Sequence, residues 1–282
     1  MANVKIVTDS LADIPLSLMQ GLDITIVPCT VQVGNKTYRD KLDLDTEGFY
    51  RLLASTPKPP TTSNPAVGVF EETYRQLART SRQIISIHVA SSLSGTFNSA
   101  RLAAQSVKQD APVMIEVVDS QQLSMAQGWL AVQAARAAAR GANLMQIIEL
   151  VESLRGRPRL IAMLDSLQYA QRSGRLGKAA GMVGAMLNVK PLLSIARGEV
   201  LPLGAARTQQ AALERLVEIA TEQGLSQEVA VVHCYAEVLA RRLKYLLVAQ
   251  VPNAQVTLAE TGPVSGTHVG PGVVGLAWLT PK

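Results

Sequence analysis

Three times in the first 120 residues a short apolar, largely β-branched run stops at a turn rich in Asp and Ser. Residues 4–7 lead into Thr8-Asp9-Ser10, residues 84–89 into Ser91-Ser92-Leu93-Ser94-Gly95-Thr96, and residues 113–118 into Asp119-Ser120. Runs of this length bounded by turn residues suit buried strands, and Asp or Ser at the exit can cap the segment that follows. The second run feeds a helix carrying Phe97, Ala100 and Ala104, and the third feeds a long helical stretch over 123–140. Strands that each feed a helix pair in parallel, and a parallel sheet meets its ligands at the carboxyl ends of its strands.

The second half has its own alternation. A helix over 145–154 ends at the arginine-rich break Arg155-Gly156-Arg157-Pro158-Arg159, and a strand over 160–163 follows. Strands are expected over 191–195, 199–203, 229–234, 256–259 and 273–279, with helices over 209–223 and 237–248. The reading is an α/β chain with an N-terminal parallel-sheet domain over 1–156 and a C-terminal mixed α/β domain over 157–282. A chain of 282 residues can bury two such cores. With 48% apolar residues but only 4% aromatics, the interior must be aliphatic.

A net charge of +5 without interleaved aromatics does not fit a nucleic-acid surface, though it suits an anionic small molecule or an acidic protein partner. Residues 1–7 lack the basic and apolar segments of a signal peptide, and no apolar run is long enough to span a bilayer, so the expected location is the cytoplasm. Cys29 and Cys234 sit in separate apolar runs and are expected as buried free thiols.

Several familiar motifs fail on context. Residues 270–275 spell a dinucleotide fingerprint, but they precede a strand where that motif must open a helix. The stretch from Arg172 to Ala179 contains Gly177-Lys178, yet Arg and Ala replace the first glycine and the magnesium-binding hydroxyl of a phosphate loop. The three histidines have no metal-ligand spacing, and no nucleophile elbow is present, so neither cofactor nor metal is expected. His88 and His233 fall in strands and read as structural, whereas His268 stands in a glycine-rich loop where a ligand could approach.

Two hydroxyl-rich segments remain. Ser94-Gly95-Thr96 sits where a strand gives way to a helix, with free amides and the positive end of the helix dipole facing the sheet end. Either Ser91, Ser92 or Ser94 caps that helix, or an anion sits there. Thr61-Thr62-Ser63-Asn64-Pro65 is delivered as a defined loop by the stiff segment Pro57-Lys58-Pro59-Pro60. Hydroxyls without lysine suit a carboxylate held while its oxygen stays reactive.

Asp9-Ser10 with Asp13 and Pro15, Thr62 to Pro65, Ser91 to Thr96 with Ser99-Ala100, Asp119-Ser120, Arg172-Ser173-Gly174-Arg175, Lys190-Pro191 and Gly266 to Gly272, in that order, resemble the DegV family. The resemblance runs through essentially the whole chain. It implies a two-domain α/β protein with a lipid tunnel holding one long-chain fatty acid such as palmitate, stearate or oleate. Some members look like the fatty-acid-binding subunit of bacterial fatty acid kinase, which is itself non-catalytic and presents the acid to a separate catalytic subunit. Carried over by position, Thr62, Ser94, Gly95 and Thr96 would hold the carboxylate. His268, Arg207 and Arg172 would lie near the head group or at the face used by the partner. Asn64 stands where Gln is frequent, and Ser173 where Gly is. The alternatives are a hydrolase or phosphotransfer enzyme using the same hydroxyl loops, with Asp9 or Asp119 as its acid, and a sensor of small polar anions.

Overall fold

The computed structural model describes residues 4–56, 58–182 and 189–281. The first half runs β1 (Val4–Asp9), α1 (Leu16–Met19), β2 (Ile24–Val27), β3 (Thr30–Val33), β4 (Lys36–Arg39), α2 (Thr46–Ser55), β5 (Thr61–Ser63), α3 (Val67–Ala78), β6 (Gln83–His88), α4 (Thr96–Asp110), β7 (Met114–Asp119), α5 (Ser124–Ala139) and α6 (Leu144–Leu154). The second runs β8 (Pro158–Met163), α7 (Gln168–Arg172), β9 (Lys190–Ala196), β10 (Glu199–Ala206), α8 (Gln209–Glu222), β11 (Glu228–Cys234), α9 (Glu237–Gln250), β12 (Gln255–Glu260), α10 (Pro263–Val269) and β13 (Val273–Leu279).

The strand-to-helix units build a four-stranded, all-parallel sheet of order β2-β1-β6-β7. The second half builds a six-stranded sheet of order β10-β9-β8-β13-β11-β12, antiparallel except for the parallel β11–β12 pair. Every strand of the first sheet precedes residue 120 and every strand of the second follows residue 157. A small antiparallel sheet, β4-β3-β5, joins neither.

Side-chain alternation turns these sheets into layers. Ile6, Ile85 and Ile87 point into one core, while Val7 and Ile84 point to the other face, where Phe70, Tyr74 and Ala103 of α3 and α4 cover them. In the second sheet Ala230, Val232 and Ala277 face the first core, and Val229, Val231, Leu276 and Trp278 meet α8 and α9 behind. Helix α5 fills the layer between the two sheets. Its Gln127 carboxamide donates to Thr8 and Asp9 of β1, at 3.0 and 3.1 Å. From the opposite face, Trp129 Nε1 donates to the Ala277 carbonyl of β13 at 2.9 Å, and Arg136 grips Glu228 of β11 with two bonds of 2.7 Å. Gly128 permits this fit, because a Cβ there would lie 2.6 Å from the Ala12 carbonyl oxygen.

Candidate ligand-binding site

Where the carboxyl ends of the parallel strands approach the α5-facing side of the mixed sheet, the aliphatic core leaves a cavity. It offers about 210 Å³ to the centre of a water molecule. Each loop leaving a parallel strand contributes to its wall: Leu11 after β1, Cys29 after β2, Leu93 after β6 and Leu123 after β7. The mixed sheet closes it with Leu160, Leu193, Ile195, Val200 and Val232 among others. Aliphatic residues supply most of the lining, as a chain so poor in aromatics requires.

The polar part of the wall includes Thr62, Ser63, Asn64, Ser94 and His268, with Ser124, Ser194, Thr261 and Ser265 also in the lining. Thr62 is the middle residue of β5 and pairs with Val31 of β3, so a strand ladder fixes its hydroxyl. Thr62 Oγ1 lies 2.8 Å from His268 Nε2. Asn64 ties this arm to α4 by donating from Nδ2 to Ser99 Oγ at 2.9 Å, and a Cβ on Gly95 would lie 3.0 Å from Asn64 Oδ1. Ser94 and Gly95 therefore reach the cavity beside Thr62. Ser91 is committed to Asp119, with a 2.6 Å hydroxyl bond, and Ser92 to the Gly198 carbonyl at 2.5 Å. Ser94 Oγ accepts from Thr96 N at 3.3 Å and contacts Thr96 Oγ1 at 2.8 Å. The amides of the first turn of α4 have no intrahelical acceptor.

The structure thus brings Thr62, Ser94, Gly95 and His268 to one cavity. Thr96 stands behind Ser94, fully buried, and does not line the space. Arg172, in the last turn of α7, and Arg207, which precedes the α8 cap Thr208, are exposed and line no part of the cavity. A head-group role for either arginine is corrected on that geometry. The arginine that does border the cavity is Arg175, three residues beyond Arg172 in the same motif, which follows Gly174 at φ 71° and is itself exposed. It is the only formally charged side chain in the wall among the described residues. Arg175 also borders a groove of about 540 Å³ with Ser91, Ser92 and Lys178, and Ser94 and Gly95 belong to both spaces.

Two local expectations are corrected. His268 belongs to the last turn of helix α10, not to a glycine loop. Pro263 opens that helix at its first turn, and Asp40 Oδ1 accepts the Val264 amide at 3.1 Å from across the chain, a cap no local sequence shows. Thr61, Thr62 and Ser63 form a strand, so pairing with β3 rather than proline stiffness alone fixes them; Pro57 of the stiff segment lies outside the described residues.

Burial, helped by the Arg175 charge, lowers the His268 imidazole to about 4, so it is neutral near pH 7. Its Nδ1 is buried without a partner among the described residues. Asp40 is pushed the other way, up to about 6, chiefly by burial, and its Oδ2 also lacks a partner. Burial raises the Cys29 thiol well above its usual range, which makes it a wall residue and not a nucleophile. Among the described residues no group of His, Cys, Asp and Glu could hold a metal ion, and no helix is long and apolar enough to cross a membrane.

Fold and cavity together define a two-sheet α/β protein whose aliphatic pocket is headed by hydroxyls, a neutral imidazole and one guanidinium. The chain belongs to the DegV family, whose model, described as that of an uncharacterised protein family, matches residues 3–281. Protein DegV of Bacillus subtilis is 34% identical over 280 residues, covering 98% of this chain and 99% of that protein. The crystal structure of DegV from Bacillus subtilis, called a fatty acid binding protein, superposes with a TM-score of 0.90 at 33% identity over the whole of both chains. A DegV family protein from Thermus thermophilus, reported for its fatty acid binding, gives a TM-score of 0.90 at 27% identity, covering 99% of this chain and all of that one. A stearic acid-binding protein from Eubacterium ventriosum gives 0.84 at 27% identity, covering 99% of this chain and 98% of that one.

Proposed function

We propose that this chain binds one long-chain fatty acid and presents its carboxylate to a separate kinase, without catalysing a reaction and without a cofactor. The observation that carries the reading is a largely aliphatic cavity whose wall also carries Thr62, Ser94 and His268, with Thr62 Oγ1 2.8 Å from His268 Nε2. That combination matches an amphiphile with one small head group, and relatives of the same fold are described as fatty acid binding. Burial yields roughly 0.8 kcal/mol per methylene, so about 14 methylenes give on the order of 11 kcal/mol before ordering costs. Neutral hydroxyls then suffice for the head, provided they act together with the first-turn amides of α4, because a desolvated carboxylate needs several donors. A neutral His268 adds hydrogen bonding without a second formal charge.

The groove beside the head end would admit the kinase. Arg175 and Lys178 border it, Lys178 paired with Glu199 of the same groove at 2.7 Å, and a transferring phosphoryl group needs positive charge placed in advance, which Arg175 would supply. Arg172 and Arg207, exposed and free of the cavity, fit a partner-docking role on the same chain. A polar-anion sensor would instead need a polar floor, and the cavity wall is aliphatic.

Extraction of the purified protein followed by mass spectrometry should return about one fatty acid per chain. Ser94→Ala and Thr62→Val should each weaken the acid by roughly ten- to a hundredfold, since a hydrogen bond to a charged acceptor is worth about 1.5–3 kcal/mol. The uncharged methyl ester should bind all three proteins almost equally. With ATP and a fatty acid kinase catalytic subunit, Arg172→Ala should lower acyl phosphate formation while lipid retention holds. Protein that neither carries nor takes up oleate or palmitate would overturn the reading.

A further inference from the structure

A second cleft, about 750 Å³ and open to solvent, lies where the chain passes from α6 to β8. Its walls come from elements far apart in sequence: the β7–α5 loop at Gln121 and Gln122, the end of α6 at Glu152 and Arg155, the start of β8 at Arg159, and the β9–β10 hairpin at Arg197. Three guanidinium groups face a single carboxylate. Glu152 engages Arg155 only, at 3.3 Å, and neither Arg159 nor Arg197 has a carboxylate partner among the described residues. Three like charges around one counter-charge still repel one another, and an anion between them would remove that cost.

Three further observations point to a built site. Gln122 is 4% exposed, and its side-chain oxygen has no hydrogen-bond partner. Arg155 Nε is likewise buried and unpartnered. Gln121 and Arg197 both hold left-handed backbones, at φ 54° and 52°, and their turns are joined by the Gly198 amide donating to the Gln121 carbonyl at 2.8 Å. The Arg197-Gly198 pair is the ordinary two-residue turn between β9 and β10, and its bond to Gln121 fixes the two loops against each other at the cleft.

We infer that this cleft is an anion-binding site for the phosphate of a small phosphate ester. A guanidinium fork matches phosphate in bidentate fashion, and a tetrahedral dianion can serve several forks where a planar carboxylate serves fewer. The cleft has the volume of a small-molecule site, and its uncharged Gln121, Gln122 and Gln223 suit the hydroxyls of the ester's body. A sugar phosphate and a nucleotide share this chemistry. The site is independent of the fatty-acid reading, although Leu160, Ser194 and Ile195 border both spaces.

Calorimetric titration of the full chain with AMP, ribose 5-phosphate and inorganic phosphate, at about 150 mM salt to screen diffuse attraction, tests it. At least one ester should bind once per chain, and adenosine and ribose should not bind; binding of AMP alone identifies a nucleotide, and binding of both esters a sugar phosphate. Arg159→Gln and Arg197→Gly should each weaken the ester at least tenfold. Arg75→Gln, on α3 outside the cleft wall and paired with Asp110, should not. Arg197→Gly suits the left-handed backbone and keeps the test sound should Arg159→Gln fold poorly. Binding of no ester, of inorganic phosphate alone, or of esters equally by all variants would overturn the assignment.

Discussion

Two histidines of this chain sit in opposite kinds of surroundings. His88, at the end of β6, is sealed in a complete relay: Tyr74 donates to Ser86 Oγ at 2.8 Å, Ser86 Oγ lies 2.7 Å from His88 Nε2, and His88 Nδ1 lies 2.9 Å from Asp9 Oδ2. Asp9 also accepts the amides of Leu11 and Val89 and the Gln127 carboxamide. Tyr74, Ser86, His88, Asp9 and Gln127 are buried and none of them lines the cavity, and although the order of groups resembles a hydrolytic triad, no substrate can touch Ser86. His268 makes one bond, to Thr62, and leaves Nδ1 empty-handed in the cavity wall, while Asp40 at the other end of the same helix leaves Oδ2 unpaired. Unpartnered buried atoms also occur at Gln122, Gln127, His233 and Thr261, so the contrast is one of place: His268 lines the cavity, whereas His88 is bonded at both ring nitrogens and lies outside it.

Breaking the complete network should cost most. His88→Leu leaves the buried Asp9 carboxylate short of a partner, and a loss of about 3 kcal/mol or more in chemical denaturation is expected. The folded fraction should bind fatty acid unchanged; a selective loss of binding would erase the distinction between the two sites.

Asp40→Asn comes next and should act in the stabilising direction. A carboxyl raised to about 6 favours the fold most when protonated, so its contribution is complete below about pH 4 and lost as pH rises through 6. The variant cannot ionise, and at pH 7.5 it should exceed wild type by on the order of 2 kcal/mol, with the difference vanishing near pH 4. Thermal unfolding across that range measures it, and a constant difference at all pH values would show that Asp40 is not the titrating group.

The smallest stability effect belongs to His268→Gln. An imidazole lowered to about 4 supports the fold fully above its unfolded value near 6.5, and that support is lost as pH falls toward 4, opposite in slope to Asp40. At pH 7.5 the variant should differ from wild type by less than about 1 kcal/mol, and at pH 5 it should gain on the order of 1 kcal/mol relative to it. Fatty acid affinity should nevertheless fall about tenfold. Equal affinity in both proteins would return His268 to the same class as His88.

The same division decides what the sequence discloses. The strands over 4–9, 83–88 and 114–119 are written in alternating β-branched residues that must serve two cores, and that local pattern survives in the sequence. β3, β4 and β5 are three or four residues long and carry Lys, Arg, Thr and Gln, so their pairing depends on partners up to 33 positions away. Helix α10 is hidden for the same reason: its glycine and threonine content argues for a loop, and its cap is Asp40, more than 200 residues earlier. Thr62, Ser94 and His268 could be picked out as polar residues in places where packing does not ask for them. Arg175 could not be separated from Arg172 without knowing that Gly174 reverses the chain between them.

The placement of α5 bears on inheritance. Because Gln127 is fastened to one sheet and Trp129 and Arg136 to the other, the helix is common property of both halves. A gene cut between the codons for Leu154 and Pro158 would give one fragment with a naked helix face and another with a naked sheet. Recombination among relatives should therefore transmit the two halves together, and substitutions on α5 should be accepted only as matched sets with β1, β11 and β13.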